Sequence, residues 1–267
     1  MTQECDYSRL LPIREAVFPT FDADQRAAAK AIAAGLAPKL EGCSVEAVID
    51  LGCGTGEILA LLRDQLASAG SGQITALGVD CCAAEIAIAR NRYVGCEFIE
   101  SRAEEFMSSI ARSGIAHSAE HTVVMCVGHT IPHFRGTEAL LDALAKWQPA
   151  FVLLDFHDGW DAVVEHFTGP DTEPLRQVKQ QLKTPDGEVV TYTLTTKPDP
   201  AEPDRVLRGI EAFADGRPSL VPFWASQFLK CSGWYLTEMH RGGYVLARRI
   251  GYQSGYGRMN AFLMSRV

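Results

Sequence analysis

Three glycines at alternate positions, Gly52, Gly54 and Gly56, follow directly on the apolar run Val48-Ile49-Asp50-Leu51. A helix-forming stretch, Ile58 to Arg63, comes next. Without β-carbons the backbone can turn sharply there and let a ligand approach it closely. The helix start would present unpaired N–H groups to whatever lies in the turn. The spacing G-x-G-x-G, with Cys53 between the first two glycines, differs from the G-x-G-x-x-G of dinucleotide-binding turns. A second acid, Asp80, ends the short apolar run Ile74 to Val79. Open α/β sheets bind ligands outside the carboxyl ends of their strands, where a carboxylate can accept both hydrogen bonds of a ribose diol. Asp80 could also N-cap the helix Ala83 to Arg90.

A second group of reactive side chains lies further on. The run Cys126-Val127-Gly128-His129-Thr130-Ile131-Pro132-His133 leaves a predicted fourth strand, and His157-Asp158 leaves a fifth. Both ends reach the same crevice by topology, so His129 and His157 could orient a substrate or take its proton. His133, one turn on, fits a structural role or a substrate contact. The glycine-containing stretch Arg249 to Arg258 is expected to be a mobile loop between the last two strands, with Tyr252 and Tyr256 able to close over a substrate. Trp160 and Trp224 flank a predicted insertion, where they would supply core or a stacking surface.

Positioning these groups takes alternating strands and helices. An N-terminal helix is expected from Ala23, with an Asp22/Gln25 capping box and a stop at Gly35 and Pro38. It would either cover the cofactor or pack on the sheet. Strands are expected at Val48–Leu51, Ile74–Val79, Cys96–Glu100, Thr122–Val127 and Phe151–Phe156, with helices between them. This pattern predicts a doubly wound, mostly parallel sheet. From about Asp158 to Pro222 the alternation of Val189–Thr195 and Arg205–Phe213, with the turn signal Pro185-Asp186-Gly187, predicts an antiparallel β insertion. Helix Phe223–Cys231, strand Trp234–Met239 and a final antiparallel strand Asn260–Ser265 would complete the core. The domain reading is a helical cap over 1–44, a core over 45–157, an insertion over 158–221 and a return to the core over 222–267.

Composition narrows the partners. The 267 residues are 47% hydrophobic, enough for a substantial core, with a net charge of −8. That charge opposes gripping a phosphate backbone, and no basic run is present. No run approaches the ~20 apolar residues of a membrane span. Met1 to Leu10 carries Glu4, Asp6 and Arg9 and shows no apolar signal segment. The eight cysteines form no C-x-x-C pair, which fits reduced thiols in a cytoplasmic protein, and no metal-ligand spacing is visible. A small-molecule substrate is expected, without nucleic acid or membrane, and a homodimer is left open.

The stretch Val48–Glu57 resembles motif I of the class I S-adenosylmethionine-dependent methyltransferases. The likeness extends over about 45–157 and 222–267, and is most specific at motif I, Asp80 and the fourth-strand segment. It implies a Rossmann-like, seven-stranded, mostly parallel sheet whose last strand is antiparallel. It also implies S-adenosylmethionine as cofactor, held by Asp50, Gly52, Cys53, Gly54, Gly56, Asp80, Cys81, Cys126 and Val127. The family often meets the adenine edge with an acid after the third strand. Here Arg102 stands where Asp is common, which leaves the backbone of Ala103 and Glu104. The fourth-strand segment resembles that of glycine- and sarcosine-type N-methyltransferases, with His129 where Asn is common. The implied reaction is methyl transfer to a nitrogen or oxygen of a small metabolite by in-line displacement, with positioning and desolvation as its main aids. The alternatives are a non-catalytic cofactor-binding regulator and a nicotinamide-dependent oxidoreductase.

Overall fold

The computed structural model describes residues 21–40, 45–68, 73–113, 118–170, 173–183, 189–214, 217–218, 223–254 and 257–267. The chain divides into two units, one built from Asp22–Asp158 and Ser232–Val267, the other containing Gly159–Cys231.

In the first unit, helix α1 (Phe21–Leu40) precedes β1 (Ala47–Leu51), α2 (Glu57–Leu66), β2 (Thr75–Asp80), α3 (Ala83–Arg92) and β3 (Glu97–Glu100). Next come α4 (Ala103–Ser113), β4 (Thr122–Cys126), α5 (Thr137–Trp147) and β5 (Phe151–His157). The unit closes with α7 (Ser232–Arg241), β11 (Tyr244–Ser254) and β12 (Gly257–Arg266). The strands form one seven-stranded sheet in the order β11-β12-β5-β4-β1-β2-β3. β1 pairs in parallel with β2 and β4, and β5 with β4, while β12 runs antiparallel to both β5 and β11. This is the doubly wound, Rossmann-like sheet expected, with its antiparallel ending. β1 and β4 are buried at every position, as interior parallel strands covered on both faces must be. Their core unites Val48, Leu59, Leu62, Val123, Met125, Leu153 and Leu263.

Five elements differ from expectation. Helix α1 runs through Gly35 and Pro38 to Leu40, and Phe21 already belongs to it, so Asp22 sits inside its first turn. Gly35 acts here as a close-approach residue, since a β-carbon there would collide with Ile250 of β11. Ile32 and Leu36 join the sheet's core, which gives α1 the packing role.

The expected helix Phe223–Cys231 is a strand and the expected strand Trp234–Met239 is a helix. Phe223–Phe228 finds an antiparallel partner in Arg205–Ile210, whereas Tyr235 and Met239 bury one face at helical i, i+4 spacing. Pairing and packing override the local aromatic pattern.

The expected mobile loop Arg249–Arg258 falls largely within β11 and β12. Ile250, Tyr252 and Ser254 alternate inward, while Arg248 and Arg249 face solvent along an edge strand with an irregular register between Leu246 and Arg248.

The second unit begins with α6 (Trp160–Thr168), a helix where only β structure was expected, and continues with β6 (Leu175–Lys183). β7 (Val189–Pro198), β8 (Arg205–Ala214), β9 (Arg217–Pro218) and β10 (Phe223–Phe228) follow. They make the predicted antiparallel sheet, ordered β10-β8-β7-β6 with β9 on β8. The Pro185–Gly187 turn lies outside the described residues. Buried Arg205 ties this sheet together, donating from Nε to Ser226 Oγ at 2.7 Å while that hydroxyl donates to Asp199 Oδ2 at 3.2 Å. No described helix is long and apolar enough to cross a membrane.

Leu263 of β12 is fully buried in the shared core. Leu263→Ala should therefore lower the stability of the first unit by about 2–5 kcal/mol in urea unfolding, the usual cost of such a cavity. A loss below about 1 kcal/mol would show that the last strand is not packed into this core.

Candidate active site

The glycine turn leaves β1 at the carboxyl end of the sheet. Gly52 N–H and Cys53 N–H both donate to the Val79 carbonyl of β2, at 2.7 and 3.1 Å. Gly52 has φ +78°, a conformation that L side chains rarely adopt, and a β-carbon on it would collide with Thr130 Cγ2. Gly56, also left-handed at φ +78°, stands at the N-cap of α2 against the Phe98 ring. The bend is therefore closed on its β4 and β3 sides and leaves no room for a side chain on either glycine.

Asp80 braces that bend. Its Oδ2 accepts from Gly54 N–H at 2.9 Å and its Oδ1 from Cys82 N–H at 2.8 Å. Each oxygen retains accepting capacity for a ligand hydroxyl. Cys82, not Asp80, occupies the N-cap of α3. Burial raises the Asp80 carboxyl above the usual range, opposed by these amide bonds. Asp50, at the end of β1, is buried, and its Oδ1 has no hydrogen-bond partner among the described residues. Burial first, and then the carboxylates of Asp80 and Asp155, push its carboxyl well above the usual range. A cation entering this corner would reverse that penalty.

The thiols are structural in character. Cys53 and Cys126 are raised well above an ordinary thiol, chiefly by burial and then by Asp50, and Cys81 is pushed up to about 11. None of the three is a thiolate at neutral pH. Val127 is buried beside Cys126. Ala103 is buried at the first position of α4, whereas the Glu104 carboxylate pairs with Arg102 Nη2 at 2.5 Å.

The loop after β4 is built on an unpredicted carboxylate. Asp155, fully buried in β5, accepts Gly128 N–H on Oδ2 at 2.9 Å and His129 N–H on Oδ1 at 2.8 Å. The buried Tyr252 hydroxyl also donates to Oδ2. Burial raises the Asp155 carboxyl to about 6, with the Tyr252 and amide bonds opposing it. Held this way, His129 adopts φ +62°. Its Nδ1 accepts the His157 backbone N–H at 3.1 Å. An amide can only donate, so Nδ1 carries no proton in this arrangement and the neutral ring carries its hydrogen on Nε2. His133 and His157 stand edge-on to that ring, at 6.1 and 6.4 Å between centroids.

The structure thus gathers Asp50, Gly52, Cys53, Gly54, Gly56, Asp80, Cys81, Cys126, Val127, His129, His133 and His157 at one end of one sheet. Tyr252 joins them as a buried strand residue bonded to Asp155, in correction of its expected place on a loop. Tyr256 lies outside the described residues. Trp160 and Trp224 belong to the other unit. There the Trp160 indole donates to the Lys230 carbonyl at 2.8 Å, and the Trp224 ring packs on Gly209 with the Lys197 ammonium 4.1 Å from its centroid. Asp155 was missed although its signal was present, a lone acid inside the apolar run Phe151–Phe156.

Residues 48–148 match the family model described as a methyltransferase domain. Over this stretch the chain carries a methyltransferase domain. No match was found among curated protein sequences. Among solved structures, the CcbJ methyltransferase of Streptomyces caelestis superposes with a TM-score of 0.62 at 14% identity, over 92% of this chain and 98% of that one. The sugar N-methyltransferase KedS8 of a Streptoalloteichus species gives 0.56 at 18% identity, over 91% and 88%. The S-adenosylmethionine-bound amino pentose methyltransferase CalS10 of Micromonospora echinaspora gives 0.54 at 14% identity, over 88% and 90%. These likenesses establish a shared fold, and the matched segment of the methyltransferase domain holds the glycine turn, Asp80 and His129.

Gly52→Ala should lower the melting temperature through about 1–2 kcal/mol of left-handed strain plus the clash with Thr130. Adding Thr130→Ser, which removes Cγ2 and keeps the hydroxyl, should restore part of the loss. An unchanged melting temperature, or no recovery in the pair, would refute this packing of the bend.

Proposed function

We propose that this methyltransferase acts on a small metabolite, at nitrogen in the first instance and otherwise at oxygen. The observation that carries the reading is the corner between β1 and β2. There a side-chain-free bend, the unpartnered Asp50 oxygen and the spare lone pairs of Asp80 fit the cationic amino-acid end and the ribose of S-adenosylmethionine. Asp50 would meet the positive charge and Asp80 the ribose diol. The amides of Ala103 and Glu104 would reach the adenine edge, and the Cys126–Val127 backbone would close the floor.

When bound, the cofactor offers an electrophilic methyl carbon: the acceptor's lone pair forms the new bond and the electrons of the broken C–S bond stay on sulfur. The protein's part is to bind, align and exclude water. An ammonium acceptor must first lose a proton, and the substituted amine releases one to solvent. With His129 Nδ1 engaged by an amide, His157 is the better placed of the two histidines to take that proton. His129 would serve as a donor, and His133 as a substrate contact. The net charge of −8 favours a small acceptor over nucleic acid. The names of KedS8, a sugar N-methyltransferase, and CalS10, an amino pentose methyltransferase, support trying amino sugars first.

Calorimetry with S-adenosylmethionine, its demethylated product and NAD tests the cofactor assignment, and preferential NAD binding would overturn it. Transfer of labelled methyl to amino sugars and to other amine or hydroxyl metabolites tests the acceptor. Tight cofactor binding without transfer to any of them would replace the enzyme with a regulator. Asp80→Ala should weaken cofactor binding by ~1–3 kcal/mol, the scale of lost hydrogen bonds to a charged group. Unchanged affinity in the folded variant would remove Asp80 from the site. His129→Asn keeps a donor and tolerates the left-handed backbone, so its turnover should fall less than that of His129→Ala. Equal losses in the two variants would mean that the donor is not used.

A further inference from the structure

Tyr252, Asp155 and His129 form a chain of hydrogen bonds running from the edge strand β11, through β5, to the loop that abuts the glycine turn. Both Asp155 oxygens are committed, one to His129 N–H and the other to Gly128 N–H and the Tyr252 hydroxyl. The clamp holds two successive left-handed residues, Gly128 at φ +83° and His129 at φ +62°. His129 lacks glycine's freedom there, so the pair of amide bonds must offset its strain. The adjacent Thr130 fills the space against Gly52, which couples this loop to the bend that would carry the methyl donor. Downstream, the His157 amide fixes which ring nitrogen of His129 bears the proton.

We infer that Asp155 and Tyr252 are positioning residues for methyl transfer: together they hold the His129 backbone in the orientation in which the His157 amide meets Nδ1 and Nε2–H is presented to the acceptor. The inference rests on the functional reading above, in which His129 acts at the acceptor. Neither residue need touch a ligand. An ionised Asp155 can accept from both amides and from the phenol. Once protonated it must donate from one oxygen, and three donors then face a carboxyl with one proton too many. The phenol bond favours the ionised form and burial opposes it, which leaves the balance at about 6. The other ionisable groups around Asp155 are Cys126 on β4, Asp50 on β1, and His129 with His157 at the strand ends. Burial and the neighbouring acids keep Tyr252 protonated, and burial with Asp50 and Asp155 keeps the Cys126 thiol so. Asp50 is itself pushed up, so its titration adds a second acid-side component.

The test compares the full-length protein with Tyr252→Phe. Backbone-amide NMR of the cofactor-free forms reads the clamp directly. The Gly128 and His129 amide signals should titrate with a midpoint of about 6 in the parent protein. The midpoint should lie at higher pH in the variant, because the phenol bond that favours ionisation is gone. In turnover, kcat should fall about tenfold near neutral pH with cofactor affinity within twofold, and the acid limb of the kcat profile should move up with the amide midpoint.

Unmoved amide midpoints would overturn the clamp. A moved midpoint with an unmoved acid limb would reduce Asp155 and Tyr252 to a structural brace and overturn their positioning role. Should no acceptor be methylated by the parent protein, the functional reading fails and the positioning role with it. The amide titration would still report the clamp separately. If Tyr252→Phe does not fold, Asp155→Asn supplies the comparison: the component near pH 6 in the two amide signals should disappear, and its persistence would overturn the clamp.

Discussion

Two loops at the carboxyl end of the sheet are each fastened by one carboxylate that spends both oxygens on backbone amides. Asp80 ties the glycine turn to the start of α3, and Asp155 ties the Gly128–His129 turn to β5. A parallel sheet ends in loops whose N–H groups have no ladder partner, and buried donors left unpaired are costly. A carboxylate at the strand end satisfies two of them and fixes the loop without a side chain in the crevice. The tight bend, the left-handed histidine and the contact between Thr130 and Gly52 all depend on this bracing.

The arrangement places like charges close together in a poorly solvated place. Asp50, Asp80 and Asp155 are all raised, and each raises another or is raised chiefly by burial. A raised carboxyl pKa favours the folded state most at low pH, below the value in the unfolded chain. For Asp155 that contribution fades as pH rises through about 6, so the ionised site costs stability at neutral pH. The cost belongs to the free protein. A cationic ligand among these acids would stabilise their charged forms, so this electrostatic cost would return as affinity on binding.

Much of the cofactor half was legible in the sequence because its constraints are local. Three glycines after an apolar strand require a side-chain-free bend, and an acid at the next strand end requires a place at the crevice. The buried strands of a parallel sheet are likewise continuous apolar runs. What escaped the sequence depends on partners distant along the chain. Tyr252 looked like part of a glycine-rich loop because its pairing partner, Met259, lies across the hairpin and its acid, Asp155, lies two strands away. The helix and strand near 223–241 were exchanged because aromatic residues suit either element. Pairing with β8 and the Tyr235/Met239 face decide between them. Pro38 and Gly35 read as stops, although Gly35 is there to admit Ile250.

The same contrast explains why donor binding and acceptor choice are written so differently. The methyltransferase model spans 48–148, the stretch in which strand ends and helix starts alone dictate the cradle. Asp155 and Tyr252 lie beyond it, and so does the antiparallel sheet, whose buried Arg205, Ser226 and Asp199 serve its own cohesion. A cofactor common to many enzymes imposes one local geometry that recurs with the fold. Acceptors differ, so the residues that orient them are drawn from whichever strands lie nearest. Here His129 sits inside the matched stretch, but the acid and phenol that brace its backbone come from the strands that follow. On the proposed reading, that split lets the acceptor side vary while the local contacts of the glycine bend stay the same.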